Sequence, residues 1–120
     1  MSFPVLGTDR VEGVLSTALA GLSLRQDVIA DNIANIDTPS FRARSVDFED
    51  SLRTAVARGG VPESGIALTS TPTRTPVGPN GNNVDLRKET MAAMQTVFQY
   101  QTVTRAVSDR LALVRTAAGA

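Results

Sequence analysis

The sequence predicts a mainly α fold. Two long terminal amphipathic helices pack as a coiled-coil-like hairpin, with a short extended-plus-helical segment and a flexible middle linker between them. Three observations carry this expectation. Apolar residues recur at seven-residue spacing over residues 9–36 and again over 85–116. Asp37-Thr38-Pro39 stops the first pattern, because proline lacks an N–H and drives the residue before it out of the α region. Residues 59–84 then hold four of the six prolines and five of the nine glycines, a composition suited to a linker or a segment that orders on binding.

In the first helix, Leu15, Leu22, Ile29 and Ile36 lie seven apart, flanked by Val11, Ala18, Leu19 and Ile33. Thr8 or Asp9 is the expected N-cap, after an extended lead-in over residues 1–8. Arg25 and Gln26 interrupt the flanking rows, so coiled-coil packing and an ordinary core-facing helix both remain open. After Pro39, residues 41–46 alternate Phe41, Ala43 and Ser45 with Arg42, Arg44 and Val46, a weak strand signal. Arg42 and Arg44 then share a face, either solvated or meeting acidic groups on a partner. A short helix is expected from Asp47 to about Arg58, with early acids and late arginines matching the helix dipole. The N-terminal unit thus spans 1–58, the linker 59–84 and the C-terminal helix 85–120, both ends forming one assembly domain.

Asp85 is the expected N-cap of the last helix, which should run to about Thr116. Leu86, Ala93, Tyr100, Val107 and Val114 form one seven-spaced row, and Val97 and Leu111 lie in a second. Met91, Met94, Phe98, Val103 and Leu113 widen the apolar surface beyond what one antiparallel helix covers. Surplus apolar area on so long a helix describes a subunit rather than a self-contained globule.

Composition narrows the function classes. Twelve Lys and Arg balance twelve Asp and Glu, which argues against bulk capture by nucleic acid or an anionic membrane. Aromatics are 4%, too few for base-stacking platforms. Histidine and cysteine are absent, which removes the usual neutral-pH base, the thiolate nucleophile and the soft metal ligands. No apolar run reaches membrane-spanning length, and Met1-Ser2-Phe3-Pro4 lacks the pattern of a cleaved secretory signal. Neither Gly59-Gly60 nor Gly78-Pro79-Asn80-Gly81 has the spacing of a phosphate loop. Asp47, Glu49 and Asp50 suit a helix N-terminus, and residues 80–85 lack the ligands of a calcium loop. No catalytic, cofactor or metal site is expected. Asn32 and Asn35 can cap a fraying helix end or hydrogen-bond across a helix interface.

The run Asp31-Asn32-Ile33-Ala34-Asn35-Ile36-Asp37-Thr38-Pro39-Ser40-Phe41 resembles the N-terminal signature of the bacterial flagellar rod and hook proteins, where an Asn-x-x-Asn helix end enters a Thr-Pro-Gly-Tyr turn. Arg42-Ala43-Arg44-Ser45-Val46-Asp47-Phe48-Glu49, Gly81-Asn82-Asn83-Val84-Asp85-Leu86, Lys88-Glu89-Thr90-Met91 and Leu113-Val114-Arg115-Thr116-Ala117 are similar to members that build the proximal rod. The resemblance covers roughly residues 10–58 and 80–118, and not the linker. Ser40 stands where the family has glycine and Phe41 where it has tyrosine, so a turn needing positive φ is expected to be strained at Ser40.

The resemblance implies a non-enzymatic structural subunit that self-associates helically, transmits torque and encloses an export channel. Its implied partners are other rod subunits, the membrane-ring protein and the small rod-adaptor protein, with no nucleic acid and no direct lipid contact. Its implied place is the periplasmic rod of the basal body, reached by type III export without a cleaved signal. Together with the apolar rows, it nominates as assembly and packing residues Leu15, Leu22, Ile29, Asn32, Ile33, Asn35, Ile36, Thr38, Pro39, Phe41 and Phe48 in the first half. In the second half it nominates Asn83, Leu86, Met94, Val97, Tyr100, Val107, Leu111 and Val114. The competing reading is a helical adaptor or coiled-coil partner of another secretion system. A membrane-surface amphipathic helix is a third reading, against which the balanced charge argues.

Overall fold

The computed structural model describes residues 3–119, with side chains placed from Arg10 onward. Helix α1 runs Phe3–Ala34 and helix α3 Leu86–Gly119, 32 and 34 residues long. At 1.5 Å per residue each is roughly 50 Å long. The chain measures 63 × 25 × 16 Å with a radius of gyration of 18.0 Å. A compact chain of this length would have roughly 14 Å, so the two helices set the shape.

The extended lead-in expected over residues 1–8 is corrected for its described part, because α1 is helical from Phe3. Pro4 lies in the first turn, where its missing N–H breaks no helical bond, and nothing through Asp9 interrupts the helix. Thr8 and Asp9 are therefore interior residues and not N-caps. Asp85 does cap α3: its Oδ1 accepts the Lys88 N–H at 3.2 Å and its carbonyl accepts the Glu89 N–H at 2.9 Å.

Between the long helices lie strand β1 (Arg44–Val46), helix α2 (Glu49–Ala57) and strand β2 (Ser70–Pro72). Within the stretch read as a linker, β2 pairs antiparallel with β1 in the register Arg44–Pro72, Ser45–Thr71 and Val46–Ser70. The Thr73 N–H extends the pairing to the Ala43 carbonyl at 3.0 Å. The sequence does not announce β2. It is three residues long, ends in Pro72, and has no apolar face. Arg44 is exposed and folds back along the sheet: its Nε donates to Ser70 Oγ at 2.8 Å and its Nη2 to the Ser70 carbonyl at 2.6 Å.

The core is small. Ala18 and Leu22 of α1 meet Val46 and Phe48, with Leu24, Val28, Leu52, Leu68 and Val103 around them. Gly21 makes the close approach possible, since a Cβ there would sit 2.5 Å from Phe48 Cδ1. The α1–α3 pairing is antiparallel. Leu15 and Leu19 share a groove with Val107, Leu111 and Val114, while Arg25 reaches Gln99 further along.

The α3 row turned toward α1 is Glu89, Thr96, Val103 and Arg110, not the more apolar row led by Leu86. Buried Thr96 satisfies its hydroxyl on the Ala92 carbonyl at 2.6 Å. Leu86, Val97, Tyr100 and Leu111 lie exposed on one flank of that row, and Met91, Phe98 and Leu113 on the other. Phe98 is 74% exposed.

Candidate assembly site

Three of the buried polar residues are asparagines, and they join the two ends of the chain. Asn32, 1% exposed, is seven residues beyond Arg25 and fourteen beyond Ala18, on the α1 row that faces β1. Its Nδ2 donates to the Arg44 carbonyl at 2.8 Å and its Oδ1 accepts the Arg44 N–H at 3.1 Å. The side-chain amide thus completes the free edge of β1 as a neighbouring strand would.

Asn35 acts locally. Its Nδ2 donates to the Asp31 carbonyl at 2.8 Å, and Thr38 Oγ1 donates to Asn35 Oδ1 at 3.0 Å. One asparagine therefore caps the helix end and the other bridges to a neighbouring element. The bridge meets a strand, whereas the sequence suggested only an interface between helices.

From the other end, Asn82 Nδ2 donates to the carbonyls of Asn35 and Thr38, both at 2.8 Å. Each of these carbonyls, just beyond α1, also accepts a turn N–H, from Thr38 at 3.0 Å and from Phe41 at 3.2 Å, so Asn82 adds a second donor to both. Asn83 Oδ1 accepts the Ala43 N–H at 2.6 Å, and its own N–H reaches the Phe41 carbonyl at 3.2 Å. Its Nδ2 donates to the Thr75 carbonyl at 3.2 Å. Residues 35–43 are thus fastened to residues 73–84 through side-chain amides, which can donate and accept at once.

Ser40 occupies the tightest point of this junction. Its φ is +62°, in the left-handed region where a Cβ carries a backbone cost. Gly81 faces it with φ +80°, and a Cβ on Gly81 would lie 3.1 Å from Ser40 Oγ. Ser40→Gly relieves the backbone cost, offset in part by a freer unfolded chain, and is expected to stabilise the protein by about 0.5–1 kcal/mol. Thermal melting checks this; an unchanged or lower midpoint would show that the serine turn carries no strain.

Arg25 is the residue that sequence reasoning missed. It interrupts an apolar row because it clips four elements together. Its Nε and Nη2 donate to the Val46 carbonyl at 3.0 and 2.6 Å, and its Nη1 donates to Glu49 Oε2 at 2.8 Å and to Gln99 Oε1 at 3.2 Å. The guanidinium also lies 4.9 Å from the Phe48 ring centroid. The available signal was the seven-residue spacing of Ala18, Arg25 and Asn32, two polar residues in register on one face.

Hydrogen bonding from Arg25 holds the Glu49 carboxyl below its ordinary value of 4.5. A lowered folded-state value contributes stability above the unfolded value, and that contribution is lost as pH falls through the folded one. The native chain should therefore lose melting temperature below pH 4.5, and Glu49→Gln should lose less. Parallel acid profiles for the two proteins would remove this role. The Glu49 side chain is 42% exposed, so the effect is modest. The Asp50–Arg53 pair on α2 is almost fully solvated and contributes little.

The nominated residues separate into two groups. Leu22, Ile29, Asn32, Phe48 and Asn83 are buried within the chain, and Leu15, Ile33, Asn35, Ile36, Phe41 and Val107 are half-buried. Thr38 and Pro39 at the turn are exposed, as are Leu86, Met94, Val97, Tyr100, Leu111 and Val114 along α3. The first group builds the chain, and most of the second forms apolar surface that the chain leaves uncovered.

The family model described as "Flagella basal body rod protein" matches residues 14–42, the stretch from the α1 seam through the Asn-to-Pro junction. Over nearly the whole chain, the flagellar basal body rod protein FlgB of Escherichia coli K12 is 33% identical across 125 aligned positions, covering 86% of this chain and 91% of that protein. The chain belongs to the FlgB family of basal-body rod proteins. FlgB of Aeromonas hydrophila is 34% identical over 110 positions, covering 78% of this chain and 81% of its own length. FlgB of Borreliella burgdorferi is 34% identical over 103 positions, covering 69% and 76%. These FlgB relatives are named as rod proteins and place the chain among structural components, not enzymes.

Proposed function

We propose that the chain is a structural subunit of the proximal flagellar rod, self-assembling helically to transmit torque and enclose an export channel. The observation that carries this reading is the α3 surface. Leu86, Val97, Tyr100 and Leu111 on one flank, and Met91 and Phe98 on the other, remain exposed after α1 has packed. Apolar stripes on two sides of one helix need a neighbour on each side, which suits a continuing assembly better than a closed pair.

Other rod subunits and further copies of the chain are the proposed partners along these stripes. The membrane-ring protein and the small rod-adaptor protein are the proposed neighbours where the rod begins. The proposed location is the periplasmic part of the basal body, reached from the cytoplasm by type III export without cleavage of a signal. Support comes from membership in the FlgB family together with the uncovered α3 surface.

The test is deletion of the gene in its source bacterium, followed by electron microscopy of isolated basal bodies. Membrane rings lacking a rod, restored by the native gene, are the expected result. Complete basal bodies and normal swimming would refute the assignment.

A further inference from the structure

Among the described residues, one buried side-chain nitrogen has no hydrogen-bond partner, the Nε of Arg110. Arg110 belongs to the α3 row turned toward α1 and is half-buried. It lines an apolar groove of about 370 Å³ with Leu15, Leu19, Val107, Leu111 and Val114. An arginine keeps its charge, so a buried N–H there without an acceptor is an uncompensated cost. Glu12 lines the same groove but is exposed, and the ion pairs among the described residues are Arg25–Glu49 and Arg53–Asp50. The groove therefore suits a carboxylate set among apolar side chains.

The exposed carboxylates of the helices differ in their surroundings. Asp50 is already paired with Arg53. Asp27 and Asp31 have Ser23, Ala30 and Ala34 around them, with no large apolar side chain exposed within a turn. Asp109 has Leu113 one turn on, 68% exposed, and pairs with no cation among the described residues. It stands three turns beyond Phe98, on the Phe98 flank of α3, whereas the groove opens on the Leu111 flank. Asp109 and Arg110 are consecutive, so they lie at one height on opposite flanks. A second copy laid alongside, with α3 parallel and level, brings its Asp109 to Arg110. The same placement sets its Phe98 against Val97 and Tyr100, and its Leu113 against Leu111 and Val114, all exposed. One register thus matches the charge and both apolar groups.

We propose that α3 of a second copy packs level and parallel against α3 of the first, with its Asp109 paired to Arg110. The proposal rests on the rod reading and fixes the register between side-by-side copies. Arg110 turns from the α1 seam toward the entering carboxylate, and burial of Phe98 and Leu113 supplies the apolar contact. Opposite flanks are joined, so each copy keeps one flank open and the series continues.

The chain has no cysteine, so introduced thiols report the contact cleanly. Thr104 lies on the Leu111 flank and Thr102 lines the groove beside Phe98, both exposed. Residues two apart on a helix point to different sides, so Thr102→Cys with Thr104→Cys cannot bridge within one copy. Oxidation of basal bodies from cells carrying this double variant is expected to give dimers and higher multimers that need both cysteines. Adding Asp109→Asn should lower the cross-linked yield about tenfold. The melting temperature of the free chain should not change, because no internal ion pair is lost. Adding Glu12→Gln instead should leave the yield unchanged; a fall there would place the partner of Arg110 within its own copy and overturn the contact. Dimers without higher multimers, no cross-linking of a chain present in basal bodies, or full yield with Asp109→Asn would also overturn it. A native chain absent from basal bodies overturns the rod reading and the contact with it.

Discussion

Leu22→Asp is expected to abolish folding, and rods with it. Leu22 is 2% exposed at the centre of the cluster formed with Ala18, Val46 and Phe48. A carboxylate there loses its water, and the nearest guanidinium, Arg25, is already committed to Glu49 and the Val46 carbonyl. Burying an unpaired charge while removing a leucine from the core costs about 4 kcal/mol or more. That is most of the stability typical of a small domain, and this core has few members to share the loss. Circular dichroism should show helicity collapsing at 25 °C, and complementation of a deletion strain should yield no rods. A variant that melts within a few degrees of the native chain would remove Leu22 from the core. Val107→Asp makes the contrast. Val107 is half-buried beside the open groove at the distal end, so that variant should stay folded and still fail to assemble.

Asn32→Ala is the second large effect. Removing the amide leaves the Arg44 N–H and carbonyl, held at 3.1 and 2.8 Å, without partners on the β1 edge that faces α1. Each orphaned group costs roughly 1–3 kcal/mol, so a loss of about 2–4 kcal/mol is expected. The amide proton of Arg44 should exchange much faster than in the native chain, with little change along α3. Asn32→Asp keeps the acceptor but loses the donor and sets a charge against the Arg44 carbonyl, so it should not rescue. Native stability in either variant would mean that β1 is held by β2 alone. The result would also separate two asparagines that look alike in sequence, because Asn35 bonds only within its own turn and its loss should cost far less.

The features that proved legible in the sequence are those decided within a few residues. Seven-residue apolar spacing marks α1 and α3 because a helix repeats every 3.6 residues whatever it packs against. Asp85 can be read as a cap because capping involves only the next helical turn. Ser40 can be read as strained because left-handed backbone is a property of one residue and its Cβ.

What the tertiary structure decided are the contacts between residues far apart in the chain. Arg25 looks like a defect in an apolar row until Val46, Glu49 and Gln99 converge on it from 21, 24 and 74 residues away. Strand β2 has no pattern of its own and exists because β1 presents an edge beside it. Apolar periodicity along α3 reports how much surface needs covering, but not by what. Within one chain, the row with Glu89 and Thr96 turns inward because α1 approaches from that side, while the richer apolar rows stay in water. The amino-acid sequence therefore settles the helices and the local chemistry of the junction. Three-dimensional packing settles which faces one chain can cover, because burial depends on the distance between elements and not on their order.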